Sequence, residues 1–139
     1  MKPLVFGVLL CTVGVFQASP SDSPEAASLR LSFVGDIMAH DVNFRMNDYS
    51  RIYRSVKPHF EEADYTFGQL EFVVDGDRQM AGYPSFTVHP GYVEAAIEAG
   101  VNVFSLANNH TTDYGSEGVY ATRRTMAALA SEYDIHYSG

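Results

Sequence analysis

Three short apolar runs, each ending abruptly on ionisable or carboxamide side chains, limit what this chain can fold into. Leu31-Ser32-Phe33-Val34-Gly35 stops at Asp36, with His40 and Asp41 just beyond. Tyr65 to Val74 carries Glu71 near its end, and Asp75-Gly76-Asp77 follows as a turn. Val101-Asn102-Val103-Phe104-Ser105-Leu106-Ala107 passes straight into Asn108-Asn109-His110-Thr111. Runs of this length, rich in branched and aromatic residues and bounded by turn formers, read as buried strands.

The stretches between them read differently. Asp41 to about Phe60 is mixed and partly helical, punctuated by Asp48-Tyr49-Ser50 and Lys57-Pro58. Gly82-Tyr83-Pro84-Ser85-Phe86 is an extended loop that either lines a pocket or packs on itself. His89-Pro90-Gly91 opens an amphipathic helix with Tyr92, Val93, Ala96 and Ile97 inward, and Gly100 closes it as a C-cap. A second helix is expected from about Ser116 to Tyr133, burying Val119, Met126, Ala127 and Leu129. Strands alternating with helices over short links predict an α/β fold, parallel strands covered by helices. A fourth strand is expected to start at Tyr137-Ser138-Gly139. The sheet is therefore expected to be incomplete, the chain being a fragment of a longer product or one half of a domain.

Composition removes several classes. With 139 residues and 46% of them apolar, the chain suits one globular domain. A formal charge of −8 argues against a general binder of nucleic acid. The single cysteine, Cys11, excludes an internal disulfide framework and a cysteine-based zinc site. Any metal must be held by Asp, Glu, Asn and His.

Lys2 followed by the apolar run Leu4 to Phe16 has the length of a signal-peptide core and is too short to span a bilayer. Residues 1–18 are expected to be a signal peptide or an uncleaved anchor, and the protein to be exported to the periplasm, the exterior or the membrane surface. Residues 19–28, rich in Ser, Pro and Ala, read as a flexible linker. The folded part is expected over 29–139.

In open parallel sheets, ligands bind outside the carboxyl ends of the strands. Asp36, Glu71 and the Asn108-Asn109-His110 group fall at corresponding places on successive strands. Converging, they would build a site with oxygen and nitrogen donors. Singly, each has a plainer reading: Asp36 as a turn residue, Glu71 at a solvent-facing edge, the Asn pair as a turn, His40 and His89 on surface loops. Asp113 either caps the following helix, the safer reading, or orients His110.

Gly35-Asp36-Ile37-Met38, then Gln69-Leu70-Glu71, then Ala99 through Gly115 with its Leu106-Ala107-Asn108-Asn109-His110-Thr111-Thr112-Asp113-Tyr114-Gly115 core resemble the ordered motifs of the bacterial capsule-synthesis (CapA, poly-gamma-glutamate biosynthesis) family. Gly118 and Thr122 continue the pattern, so the resemblance covers about residue 31 to the end. It implies the N-terminal part of an αββα sandwich similar to calcineurin-like metallophosphoesterases, holding divalent metal ions, up to two.

Carried over by position, the resemblance makes Asp36 a first-metal ligand, Glu71 a bridge, Asn109 a second-metal ligand and His110 the catalytic residue that stabilises or protonates the departing group. Met38 stands where the phosphoesterases have a ligand His, so the first site depends on His40. Gln69 replaces the Asn of the family's Asn-Leu-Glu motif, and further His motifs would lie beyond Gly139. The implied function is a metal-dependent hydrolase in capsule or poly-gamma-glutamate assembly. Its partners would be the capsule polymer or its precursors and membrane assembly proteins. The alternative is a non-catalytic cell-surface component that binds an anionic polymer or an assembly partner.

Overall fold

The computed structural model describes residues 27–139. The signal-peptide assignment and nearly all of the linker assignment lie outside the described residues. Eleven elements follow in chain order: β1 (Leu31–Ile37), α1 (Asp41–Phe44), α2 (Ser50–Tyr53), α3 (Lys57–Glu61), β2 (Tyr65–Leu70), β3 (Val73–Val74), β4 (Thr87–Val88), α4 (Pro90–Glu98), β5 (Val103–Ser105), α5 (Gly115–Glu132) and β6 (His136–Ser138). β1, β2, β5 and β6 form a four-stranded sheet in that order, every neighbouring pair parallel. β3 and β4 pair in a second, two-stranded sheet. The mixed α/β architecture with a parallel sheet is the one the alternating pattern predicts, and the fourth strand begins at His136.

A sheet that adds strands in one direction through right-handed crossovers carries every connection on the same face. The exposure pattern agrees. Ile37, Leu70, Phe104 and Leu106 are buried with Tyr92 and Val93 of α4 and Met126 and Leu129 of α5. On the other face, the paired residues Phe33 and Phe67 stack at 4.7 Å, and Phe33 remains 71% exposed. Parallel sheets ordinarily have both faces covered. Among the described residues, this one is covered on one.

Three boundaries differ from the sequence reading. The second strand does not run unbroken to Val74: β2 ends at Leu70, and Val73 pairs with Thr87 instead. The side-chain amide of Asn108 donates to the Leu70 carbonyl at 2.7 Å, taking an acceptor that a continuing ladder would use. Glu71 thus lies just past the strand end. In α5, Ala127 is exposed, whereas Gly118, Ala121 and Thr122 are buried with Met126 and Leu129. The buried stripe follows the i, i+3, i+4 rule from Gly118, and Ala127 is turned about 100° from Met126. Third, Asp113 does not cap α5; the N-cap position is Tyr114, without a side-chain cap bond.

The helix before β5 forms as its sequence dictates. Pro90 occupies the first turn, where its missing N–H costs nothing. Gly100 follows the C-cap Ala99 with φ +110, a conformation that disfavours any side chain.

Candidate functional site

A backbone irregularity in β1 assembles the first half of the site. Phe33 pairs with Phe67 but Asp36 pairs with Gln69, so β1 holds one extra residue across that interval. Gly35 sits within it at φ +71, the left-handed conformation that a glycine bulge uses. Without the extra residue, Asp36 would face away from Phe33. With it, Asp36 lies on the same face as Phe33, Phe67 and Gln69.

There Gln69 joins two carboxylates. Its Nε2 donates to Asp36 Oδ1 at 3.2 Å and to Glu71 Oε1 at 2.9 Å. The two acceptor oxygens are therefore no farther apart than those two distances laid end to end. Neither carboxylate has a basic partner within salt-bridge range among the described residues; the ion pairs there involve other acids. A neutral amide is what stands between two like charges. The register continues this polar row, with Gln69 paired to Ser105 and Ser105 to Ser138.

The second half comes from the turn after β5. Asn108 is its keystone: its amide donates to Leu70 O, and its Oδ1 accepts the His110 N–H at 2.9 Å. Thr111 Oγ1 donates to Leu106 O at 2.6 Å and accepts the Asn108 N–H at 2.9 Å. This small network fixes the loop that carries Asn109 and His110. Asn109 is exposed, at the tip of the same turn.

The Asp113 carboxylate meets His110 Nδ1 at 2.9 and 3.1 Å. Both side chains are largely buried, at 15% and 12% exposure. A carboxylate can only accept, so Nδ1 donates and the ring is held in one tautomer. Nε2 has no hydrogen-bond partner among the described residues. Phe86, fully buried, stands perpendicular to the His110 ring at 4.6 Å. His40, exposed, meets the same phenyl ring edge-on at 5.2 Å.

The structure thus brings Asp36 and Glu71 together through Gln69, and His40 and His110 together around Phe86. Asn108, two residues before His110, ties to the carbonyl preceding Glu71. No group of three or more His, Cys, Asp and Glu residues able to hold a metal ion occurs among the described residues. Met38, at the position of the phosphoesterase histidine, is partly buried against the core, and its carbonyl accepts from Tyr92 Oη at 2.7 Å. The sequence reading missed the contribution of Phe86, whose N–H donates to Asp113 at 2.7 Å. Its signal was faint: one aromatic residue in a loop. Gln69 was read there as a departure from a motif, not as the link between the two acids.

These features define a parallel α/β domain with a carboxylate pair and a histidine–aspartate pair at the carboxyl ends of its strands. Residues 30–139 match the family described as bacterial capsule synthesis protein PGA_cap, and the chain belongs to that family. It is 32% identical over 148 aligned positions to the capsule biosynthesis protein CapA of Bacillus anthracis, an alignment that takes in 99% of this chain and 35% of that protein. The chain spans about a third of that relative's length.

Proposed function

We propose that this chain contributes the first part of a metal-dependent hydrolase-type site to an exported protein of capsule or poly-gamma-glutamate assembly. The observation that carries the reading is the convergence of Asp36 and Glu71 on one amide nitrogen, with no ion-pair partner for either among the described residues. Two carboxylates so placed repel, and a divalent cation would relieve the repulsion. Their hard oxygen donors suit magnesium, manganese or calcium better than a thiophilic metal.

Asp36 and Glu71 would hold the cation, with the carboxamide of Asn109 and the imidazole of His40 as further donors. A bound divalent ion supplies a polarised oxygen and a water of lowered pKa. His110, its Nδ1 fixed by Asp113, has Nε2 free to give or take a proton at a leaving or attacking oxygen. The leader pattern at Lys2 and Leu4 to Phe16 supports export. The capsule polymer or its precursors, and membrane assembly proteins, would be the partners.

One observation favours a second, non-catalytic reading. The Gln69 amide fills the position between the acids, and no third His, Cys, Asp or Glu ligand joins them among the described residues. On that reading the domain binds an anionic polymer or an assembly partner and performs no chemistry.

Calorimetric titration of the chain with manganese or magnesium separates the two. The hydrolase reading expects a saturable site that Glu71→Ala abolishes, and, in a full-length relative, loss of activity in His110→Ala with metal content unchanged. No saturable site in the chain or the full-length relative, or full activity in His110→Ala, would sink it and leave the binding reading.

A further inference from the structure

Gln69 is the neutral member of the polar group at the strand ends, and the register sets its place. It pairs with Asp36 on one side and Ser105 on the other, half-buried on the sheet face that carries Phe33 and Phe67. One of its two polar atoms is engaged. Nε2 donates to Asp36 Oδ1 and to Glu71 Oε1, while no hydrogen bond reaches Gln69 Oε1 among the described residues. The terminal torsion of an amide is broad and roughly two-fold, and its oxygen and nitrogen ends are nearly the same shape. Only those two bonds fix which end faces the acids.

The distances suit the other end as well. Gln69 Nε2 stands 3.2 Å from one carboxylate oxygen and 2.9 Å from the other. Adjacent oxygens in the octahedral shell of magnesium, with bonds of about 2.0–2.1 Å, lie about 2.9 Å apart. Turned end for end, the amide presents an oxygen to both acids at that spacing. A cation repels an N–H donor and attracts a carbonyl oxygen, so its arrival favours the turn. The face is open to ions: a groove of about 260 Å3 lies over it, lined by Asp36, Gln69 and Ser105 with Phe33, Phe67 and Val103.

We propose that Gln69 is a further oxygen ligand of the cation site, donating through Nε2 to Asp36 and Glu71 without the ion and turning Oε1 to the ion with it. The proposal rests on the metal reading and assigns that site one more ligand. It also gives the amide between the acids a use other than filling their space. Without the ion it holds two like charges together, and with the ion it completes an all-oxygen set suited to magnesium or manganese.

The test titrates the chain, its glutamine side chains labelled with 15N and 13C, with magnesium by NMR and by calorimetry. As magnesium binds, the Gln69 NH2 protons should leave the carboxylates, shift upfield and exchange faster with water, at the midpoint that calorimetry gives. Gln69→Met keeps the side-chain length without either amide atom. It should weaken magnesium binding about tenfold, the least that losing a partner of a metal site ordinarily costs. Gln69→Glu offers an oxygen whichever way it turns and should bind more tightly than the parent chain. Magnesium bound with the Gln69 NH2 resonances unmoved, or with equal affinity in Gln69→Met, would overturn the ligand role and leave the metal reading standing. No saturable magnesium binding in the parent chain would overturn both. The NMR arm needs no variant, so it decides the matter even where Gln69→Met does not fold.

Discussion

Asp113 Oδ2 lies 2.9 Å from Nδ1 of His110 and also accepts the Phe86 N–H at 2.7 Å, so one carboxylate ties the imidazole to the loop that leads into β4. Asp113→Asn keeps the shape but offers a single accepting oxygen to two donors. It is expected to cost about 1–3 kcal/mol, the range for disturbing a buried hydrogen-bonded charge. It should also release the His110 ring from one tautomer. Chemical denaturation measures the first effect and imidazole 15N shifts the second. A variant with native stability and an unchanged tautomer would show the pair to be idle.

Gln69→Glu replaces the neutral link between Asp36 and Glu71 by a third negative charge. The variant should melt below the parent chain in chelator. Added magnesium or manganese should raise its melting temperature more than the parent's, because three carboxylates gain more from a cation than two. Scanning fluorimetry with and without the ion decides. Equal shifts in both proteins would mean that no cation sits between these residues.

The two buried tyrosines of the helical side should respond oppositely to loss of the hydroxyl. Tyr92→Phe strands the Met38 carbonyl and should cost about 1–2 kcal/mol. Tyr53→Phe removes a hydroxyl without a partner among the described residues and should be neutral or stabilising. Alkali gives a second readout. Burial raises the Tyr53 phenol from 10.0 to about 12, and burial, then the neighbouring Tyr53 and Tyr49, raises Tyr92 as well. A raised folded-state value means that the unfolded chain ionises first. Stability is therefore whole below pH 10.0 and falls as pH rises toward about 12. Tyr53→Phe should flatten that decline in denaturation measured at stepped pH; an unchanged slope would contradict the burial argument.

Gly100→Ala tests the junction that delivers β5 to the site. At φ +110 an added Cβ would also come within 2.9 Å of Phe60 Cβ. A loss of about 1–3 kcal/mol is expected from the backbone alone. A melting temperature within a degree of the parent's would mean that the turn can rearrange freely.

The sheet, both long helices and the strand-end placement of Asp36, Glu71 and His110 were legible because each is written in local periodicity or in a punctuating residue. Gly100 and Pro90 mark helix ends in any context. The division of residues 65–74 was not legible, because it depends on Asn108, thirty-eight residues away from Leu70, taking a strand carbonyl. Nor was the link through Gln69: the bulge at Gly35 turns Asp36 toward it, and a bulge leaves no periodic trace in a seven-residue strand. Asp113 shows the limit most clearly. Its position before a helix favours capping, and only the approach of the Phe86 backbone makes the imidazole its better partner.

The strand order carries a consequence for how such a domain comes into being. β1, β2, β5 and β6 lie side by side in the sequence in which a ribosome makes them. Each new strand meets an edge completed just before it, and none must wait for a neighbour still to be synthesised or slip between two already joined. Assembly can proceed from the first strand outward, as the chain emerges. The chemistry keeps the same calendar: Asp36 is in place first, Glu71 next, and His110 last, so the constellation closes only when the third strand has docked.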